Sequence, residues 1–191
     1  ITVGTEGLDS AGPDLMALMI GSEGLLGVVT EITVKLLPKP SHCQIVLASF
    51  EEIKPAGDAV SAVIAAGIIP AGFEMMDSNA VRAAEDFAHA GYDTTAAALL
   101  LCELDGTDDE VHDGIEKVAR IFEQHGAITI RVSQDEAERT LYWKGRKSAF
   151  PAIGRISPDY YCMDGTIPRR MLSRVLGGIS QLSSEFGLRV A

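Results

Sequence analysis

The order of strand and helix signals over residues 44–132 predicts an α+β fold of the ferredoxin-like, split βαβ type. Four apolar segments have strand character, and long amphipathic helices separate the first from the second and the third from the fourth. A shorter helix is predicted between the second and third strands. We therefore expect one antiparallel sheet with two helices on one face, together with extra helices.

An apolar run near the start of the chain is interrupted by glycines. It stops at Gly21-Ser22-Glu23-Gly24, turns past Gly27 and continues from Val28. Glycine permits positive φ and close backbone approach, and exposed N–H groups in such a turn can form a concave anion site. A tight connection between a short helix and a buried strand explains the same spacing, and spacing alone favours that interpretation.

Local signals predict the elements that flank this glycine-rich turn. Pro13, with Asp14 beside it, is typical of the start of a short helix. Residues 28–37 alternate between apolar and polar side chains, which predicts a half-buried strand. Residues 1–4 are expected to end another strand.

Two prolines in residues 37–40, Leu-Pro-Lys-Pro, separate this region from the rest of the chain. Prolines this close together form a stiff, extended connector. We therefore expect a first domain of residues 1–40 and a second of residues 41–191. The chain starts at Ile1 without a Met and stops within an apolar run at Ala191, and we expect it to be a piece of a longer polypeptide.

Turn and capping residues delimit the elements of the second region. Strands are predicted over residues 44–50, 70–76, 95–104 and 127–132. Helices are predicted over residues 51–67, 79–90 and 107–125. Ser78 is the expected N-cap of the second helix, and Thr107 with Glu110 is a capping-box signature at the third.

The residues after the fourth strand predict further helices around a basic segment. Ser133 is the expected N-cap of a helix that holds Trp143, the only Trp. Residues 151–158 are expected to form a loop, residues 159–165 a short strand and residues 168–187 a last helix with a buried apolar stripe. The stripe comprises Leu172, Val175, Leu176, Ile179 and Leu182.

Composition excludes several classes of partner. The net charge of −11 disfavours binding to nucleic acid or to an anionic membrane surface. No apolar run approaches the ~20 residues of a membrane span. Cys43, Cys102 and Cys162 are far apart and odd in number, which argues against a disulfide framework or a metal site and suits a reducing compartment.

A carboxylate-binding site is one interpretation of residues 143–147, Trp-Lys-Gly-Arg-Lys. An Arg on a helix beside a strand end can clamp a carboxylate through two parallel N–H bonds, and Arg146 is the candidate. A solvated basic helix face with a packed Trp explains the same residues, and composition alone favours it. Glu74 lies on an apolar strand, so we expect a structural, paired or edge-facing role. Arg155 is a weaker candidate for the same site.

The first of these segments resembles FAD-linked oxidases of the vanillyl-alcohol-oxidase type. The resemblance lies in Asp14-Leu15 and in residues 20–31, which are similar to the end of the flavin-binding domain in that family. There the loop lies along the FAD pyrophosphate and ribose, largely through backbone groups. The family more often has Thr at the position of Leu25. The resemblance implies cofactor contacts from Gly21, Ser22, Glu23, Gly24, Gly27 and Val28.

Residues 143–170 resemble the cap domain of glycolate oxidase FAD-linked subunits and, more distantly, of D-lactate and D-2-hydroxyglutarate dehydrogenases. In these enzymes an Arg at the position of Arg146 binds the carboxylate of a 2-hydroxy acid. Some relatives have a Lys at the position of Cys162, so the resemblance implies a small substrate such as glycolate or lactate. The family's catalytic His motif lies outside this chain, and we expect no catalytic residue within it.

The resemblance implies that the intact enzyme oxidises a D-2-hydroxy acid to the 2-oxo acid, with FAD taking the hydride. The 191-residue chain alone is expected to be inactive and to bind FAD weakly or not at all. Expected partners are the substrate and other glycolate oxidase subunits, including an iron–sulfur subunit. The expected location is the cytoplasm, with membrane association through such a complex left open. The alternative is a non-catalytic ferredoxin-like module that binds a ligand or partner chain.

Overall fold

The computed structural model describes residues 1–5, 7 and 12–191 of the chain. It divides into two compact units, Ile1–Lys39 and Pro40–Ala191. The first unit contains helix α1 (Leu15–Met19). Asp14 Oδ1 accepts a hydrogen bond from the N–H of Ala17 at 3.0 Å and so caps the first turn of α1, in agreement with the predicted helix start.

Residues 28–37 form neither helix nor strand, so the prediction of a half-buried strand there is wrong. The same holds for the strand end expected at residues 1–4. A strand needs a neighbouring strand for its backbone N–H and C=O groups, and within the described residues none pairs with either segment. Apolar side chains of this segment are exposed as a result, Ile32 by 73% and Leu36 by 84%.

The second unit is built around a four-stranded antiparallel sheet. Its strands are β1 (His42–Phe50), β2 (Gly72–Asp77), β3 (Ala98–Gly106) and β4 (Ala127–Val132). The order in the sheet is β2-β3-β1-β4, with every neighbouring pair antiparallel. This order is that of the predicted split βαβ fold, with β3 at a central position as expected.

Helices alternate with the strands and follow them. They are α2 (Ile53–Ala65), α3 (Ser78–Ala88), α4 (Asp108–Gln124), α5 (Glu136–Lys147), α6 (Ala149–Ile156) and α7 (Leu172–Phe186), the last preceded by a 3₁₀ turn at Arg169–Met171. The capping box of Thr107 and Glu110 is present at the start of α4. No helix in the described part of the chain has the length and apolar character to cross a membrane.

Two predicted caps lie one or two residues from the true ones. Asp77, not Ser78, caps α3 by accepting from a backbone N–H at 2.8 Å. Asp135, not Ser133, caps α5 in the same way. Ser133 is buried, and its Oγ accepts from the N–H of Ile45 at 3.0 Å. Tertiary contact with β1 therefore uses the hydroxyl that the sequence pattern suggested for the helix.

Three predictions for the C-terminal part are corrected. The loop expected over residues 151–158 is mostly helix α6, because Pro151 falls in its first turn, where a missing N–H costs no hydrogen bond. The strand expected over residues 159–165 is absent, and Tyr161 there is 87% exposed. The stripe of α7 is only partly buried, since Ile179 is 39% and Leu182 is 54% exposed.

Helices α2 and α4 cover one face of the sheet, as expected for the split βαβ fold, and the extra helices α3 and α5 cover the other face. Side chains alternate along a strand. Val46 and Phe50 therefore join a buried cluster with α2 and α4, while Ile45 and Leu47 join another with α3 and α5. The reason is that β1 and β3 are apolar at successive positions, the pattern of strands buried on both faces. Tyr142 of α5 lies fully buried in the second cluster.

Candidate functional site

The glycine-rich turn adopts the left-handed backbone that its sequence predicts. Positive φ occurs at Gly21 (80°), Glu23 (51°) and Gly24 (80°). The N–H of Ser22 donates to the carbonyl of Met19 at 3.2 Å, which closes the first bend. No hydrogen bond among the described residues uses the N–H groups of Gly21, Glu23 or Gly24. The turn thus presents free backbone donors.

The surroundings of this turn suit a bulky ligand that carries acceptor oxygens. A Cβ built at Gly21 or Gly24 would meet nothing within 4 Å in the described residues, so the backbone is open on that side. Val28, after the turn, is 86% exposed. Free N–H groups beside open space can hold phosphate oxygens without any cationic side chain. Because Glu23 is itself an anion, its contact with a phosphate would come from its backbone. The residues present therefore fit the diphosphate of FAD.

Arg146 lies in the last turn of α5 and pairs with Glu74 of β2. Its Nε donates a hydrogen bond to Oε2 of Glu74 at 3.0 Å, and its Nη2 forms an ion-pair contact with the same oxygen at 2.9 Å. The side chain of Arg146 is 29% exposed and that of Glu74 is 37% exposed. A guanidinium has five N–H donors in a fixed plane, and this pairing occupies one edge of it. In the described residues no contact uses Nη1, which stays available for another acceptor.

A second carboxylate on the same face of the sheet anchors the same helix. Oε2 of Glu103 in β3 accepts from Arg139 Nη1 at 2.7 Å and from Trp143 Nε1 at 2.6 Å. Arg139 also donates to both carboxylate oxygens of Glu136. Hydrogen bonds to Glu136 and then to Glu103 raise the pKa of the Arg139 guanidinium, so it stays charged.

Helix α5 presents Arg139, Trp143 and Arg146 on one stripe because these residues are four and three positions apart. Gly72 lies opposite Glu103 in the strand register, and a Cβ at Gly72 would stand 2.8 Å from the Trp143 ring. The absent side chain at this position lets the indole lie against the β2 backbone. Two acidic residues and a glycine thus bind the stripe to the β2–β3 side of the sheet.

The close approach of α5 to the loop after α3 explains the glycine in the basic segment. A Cβ at Gly145 would lie 2.5 Å from the Tyr92 hydroxyl and 2.7 Å from Ala90 Cβ. The Tyr92 hydroxyl donates to the carbonyl of Tyr142. Burial raises the pKa of Tyr92, which keeps this donor protonated. The position of Arg146 is therefore set by packing at Gly145 as well as by Glu74.

The other side chains considered from the sequence lie elsewhere. The guanidinium of Arg155 stacks 4.3 Å over the Phe87 ring, which gives it a structural partner on α3. Cys162 is exposed, Cys43 is half-buried and Cys102 is buried. Among the described residues no group of three or more His, Cys, Asp or Glu side chains could hold a metal ion.

The candidate residues belong to both units of the chain. Gly21, Ser22, Glu23, Gly24, Gly27 and Val28 are in the first unit, and Arg146 is in the second. The role of Glu103 and the pairing of Glu74 with Arg146 were not predicted from the sequence. The sequence feature that could have indicated both contacts is the single acidic residue inside each of two apolar strand segments. A carboxylate in such a position needs a hydrogen-bond or ion-pair partner.

An open depression of about 430 Å³ is lined by residues of α5 and of the start of α6. Three of its seven lining residues are cationic, and Lys147 Nζ lies 5.8 Å from the centre of the Trp143 ring. The residues that line it are Arg139, Thr140, Trp143, Lys144, Lys147, Ser148 and Pro151. The basic segment of the sequence is therefore divided, with Arg146 turned to the sheet and the lysines lining the depression.

Comparison with known proteins identifies relatives for both units. The family described as FAD linked oxidases, C-terminal domain, matches residues 39–191. The glycolate oxidase subunit GlcD of Escherichia coli K12 is 60% identical over all 191 residues, and GlcD of Bacillus subtilis is 37% identical over 95% of this chain. The mitochondrial cytochrome D-lactate dehydrogenase of Arabidopsis thaliana is 31% identical over 87% of it.

Coverage of the relatives is partial. The chain spans 38%, 39% and 30% of the length of these three proteins, respectively. Among solved structures, an alkyldihydroxyacetonephosphate synthase aligns with 92% of this chain and 38% of its own, with a TM-score of 0.67 and 17% identity. At that identity the likeness shows a shared fold.

Proposed function

We propose a function on one premise: this chain belongs to the FAD-linked oxidases and carries the C-terminal domain of that family. The intact protein is an FAD-dependent oxidase or dehydrogenase that converts a small D-2-hydroxy acid, such as glycolate or D-lactate, to the 2-oxo acid. The observation that carries this proposal is the 60% identity to E. coli GlcD over the whole chain. The proposal concerns the intact protein because this chain spans 38% of that relative.

Arg146 orients the substrate through its carboxylate. Two features support this role: Nη1 is unused by the described residues, and the guanidinium plane is held by Glu74. A planar, permanently charged donor pair matches a carboxylate better than an ammonium group does. Cys162 is neutral where some relatives have a Lys, so a second carboxylate on the substrate would lack a cation at that position. A monocarboxylic acid is therefore the preferred substrate class.

The glycine-rich turn holds the diphosphate and ribose of FAD through backbone groups. The free N–H groups of Gly21, Glu23 and Gly24 support this assignment, with Ser22, Gly27 and Val28 beside them. When bound, FAD supplies the hydride acceptor for oxidation of the hydroxy acid. This chain contributes positioning of cofactor and substrate.

The 191-residue chain alone is expected to be inactive and to bind FAD weakly, because the proposed contacts form only part of a cofactor site. In the cell we propose a cytoplasmic complex with other glycolate oxidase subunits, one of which carries iron–sulfur clusters. Two of the relatives are glycolate oxidase subunits, and their name supports such an assembly.

The test is to express the full reading frame, record the flavin spectrum and measure dye reduction with glycolate, D-lactate, L-lactate and D-2-hydroxyglutarate. We expect a flavoprotein that is active on glycolate and D-lactate and least active on the dicarboxylate D-2-hydroxyglutarate. A full-length protein without flavin and without activity on any of these acids would contradict the proposal. It would favour the alternative of a non-catalytic ferredoxin-like module.

A further inference from the structure

We propose that Glu74 is a positioning residue for Arg146, and that it holds the guanidinium so that the Nη1 edge is presented to the substrate carboxylate. This inference rests on the function proposed above. It assigns a task to an acidic side chain that would otherwise be expected to weaken the binding of an anionic substrate.

The geometry of the pair is the first argument. One oxygen of Glu74 accepts a hydrogen bond from Nε of Arg146 at 3.0 Å and lies 2.9 Å from Nη2, so two atoms along one edge of the guanidinium are held at short distance. An arginine side chain has four flexible torsions, and holding it in one rotamer before the ligand arrives removes an entropic cost of binding. The Nη1 atom is left over and can donate to another acceptor.

The position of Glu74 on the sheet is the second argument. Glu74 lies opposite Leu101 in the register of β2 with β3, so its backbone is fixed by the strand ladder. Gly72 and Met76 are two residues away on either side and share its face of the sheet. A carboxylate on a strand is a more precise support than one on a loop.

The division of tasks between two carboxylates is the third argument. Glu103 already connects α5 to the sheet through Arg139 and Trp143, with two bonds to one oxygen. Packing at Gly145 brings the same helix against Tyr92. Since α5 is anchored at these points, the contact of Glu74 with Arg146 serves mainly to orient the guanidinium.

A different role for Glu74 makes the opposite prediction. If its carboxylate merely occupied Arg146 until substrate displaced it, removing it would strengthen substrate binding. If it positions Arg146, removing it weakens binding. Glu74→Gln separates these roles, because the amide keeps an acceptor oxygen at nearly the same place and loses the negative charge.

The experiment compares Glu74→Ala, Glu74→Gln and the matched control Glu103→Gln in the full-length holoenzyme. We expect Glu74→Ala to raise KM for glycolate about 10-fold or more with kcat within about 3-fold, because uniform binding is lost. Glu74→Gln should stay within about 3-fold of the wild type in both constants. Glu103→Gln should leave KM unchanged, because its partners hold the helix and not the guanidinium of Arg146.

A second measurement reads the pair directly on the 191-residue chain. The Nε–Hε signal of Arg146 in ¹⁵N NMR should be resolved and slow to exchange in the wild type, and should move to the position of free arginines in Glu74→Ala. Arg155→Lys removes a second arginine signal and serves as the assignment control.

The outcomes are distinguishable. If KM falls in Glu74→Ala, the positioning role is overturned while the proposed function stands. The same holds if KM rises in Glu103→Gln by as much as in Glu74→Ala. A wild-type holoenzyme that oxidises no 2-hydroxy acid overturns the function instead. The NMR signal then decides separately whether Glu74 fixes the guanidinium, and an unchanged signal in Glu74→Ala overturns the pair itself.

Discussion

Trp143 Nε1 donates a hydrogen bond of 2.6 Å to Oε2 of Glu103, and this bond connects α5 to the central strand β3. The side chain of Glu103 is only 14% exposed. Removing the Trp143 donor therefore leaves a largely buried carboxylate with one hydrogen bond fewer to offset its loss of hydration. This contact identifies the Trp of the basic segment as an anchor of the helix that carries Arg146.

Trp143→Phe should therefore destabilise the chain while keeping most of the ring packing. We expect a loss of about 1–3 kcal/mol in the free energy of unfolding, since a hydrogen bond to a charged group is lost. Urea denaturation followed by circular dichroism measures it. Tyr161→Phe is the control, because Tyr161 is 87% exposed and its substitution should change little. A Trp143→Phe variant as stable as the wild type would mean that the bond contributes nothing.

Gly145→Ala should also destabilise the fold. The new methyl group would stand 2.5 Å from the Tyr92 hydroxyl, and Tyr92 is buried and cannot move aside freely. We expect a cost of about 1–3 kcal/mol, the usual range for overpacking. Gly177→Ala on α7 is the matched control, since its Cβ would meet nothing within 4 Å. That substitution should stabilise by about 0.5–1 kcal/mol through helix propensity, and equal effects of both would refute the packing argument.

Stability should depend on pH through Glu138. Hydrogen bonds from the Tyr142 hydroxyl, the Gln134 N–H and Arg131 lower the pKa of the Glu138 carboxyl in the folded chain. A lowered folded pKa stabilises the protein above the unfolded value of about 4.3, and this contribution is lost as pH falls through the folded pKa.

The measurement is the free energy of unfolding from pH 3 to 7 for the wild type and Glu138→Gln. We expect the variant to be less stable at pH 7 and the difference to shrink below pH 4. Glu185→Gln, on an exposed face of α7, is the control for the loss of one carboxylate elsewhere on the surface. A difference that is constant across this range would attribute the effect of Glu138 to packing instead of ionisation.

Thiol chemistry should distinguish the three cysteines. Cys162 is exposed, whereas burial raises the pKa of the Cys102 thiol to about 12 and also raises that of Cys43. Only the thiolate reacts, so Cys162 should be modified first by a disulfide reagent at pH 8. Cys162→Ser should abolish the fast phase of thiol modification, and Cys43→Ser should leave that phase unchanged. A fast phase that survives Cys162→Ser would contradict the burial pattern.

Arg146→Lys in the intact enzyme should raise KM for glycolate by about 10-fold or more, because a point charge replaces a planar donor pair. This change in KM is measured by steady-state kinetics, with the enzyme concentration taken from the flavin content. Arg155→Lys is the matched control, since Arg155 stacks on Phe87 and is not proposed to touch substrate. Equal KM values for the two variants would remove Arg146 from the proposed site.

Much of the second unit was predictable from local patterns. The strand at residues 127–132 and the capping box at Thr107 are confirmed, because periodicity and capping depend on neighbours in the chain. Errors arose where a distant partner decides. Residues 28–37 alternate between apolar and polar side chains as a strand would, but no strand among the described residues pairs with them. Ser133 has the right type for a cap, but its hydroxyl binds β1.

The sequence by itself determined the order of strands and helices, the family and the residue types available to the candidate site. Each of these can be recognised from residues that are close together in the chain. Only the tertiary structure decided that Glu74 holds Arg146, that Glu103 anchors Trp143 and that the sheet is covered on both faces. The physical reason is that ion pairs and burial depend on groups that are distant in the chain, here 72 residues apart for Glu74 and Arg146.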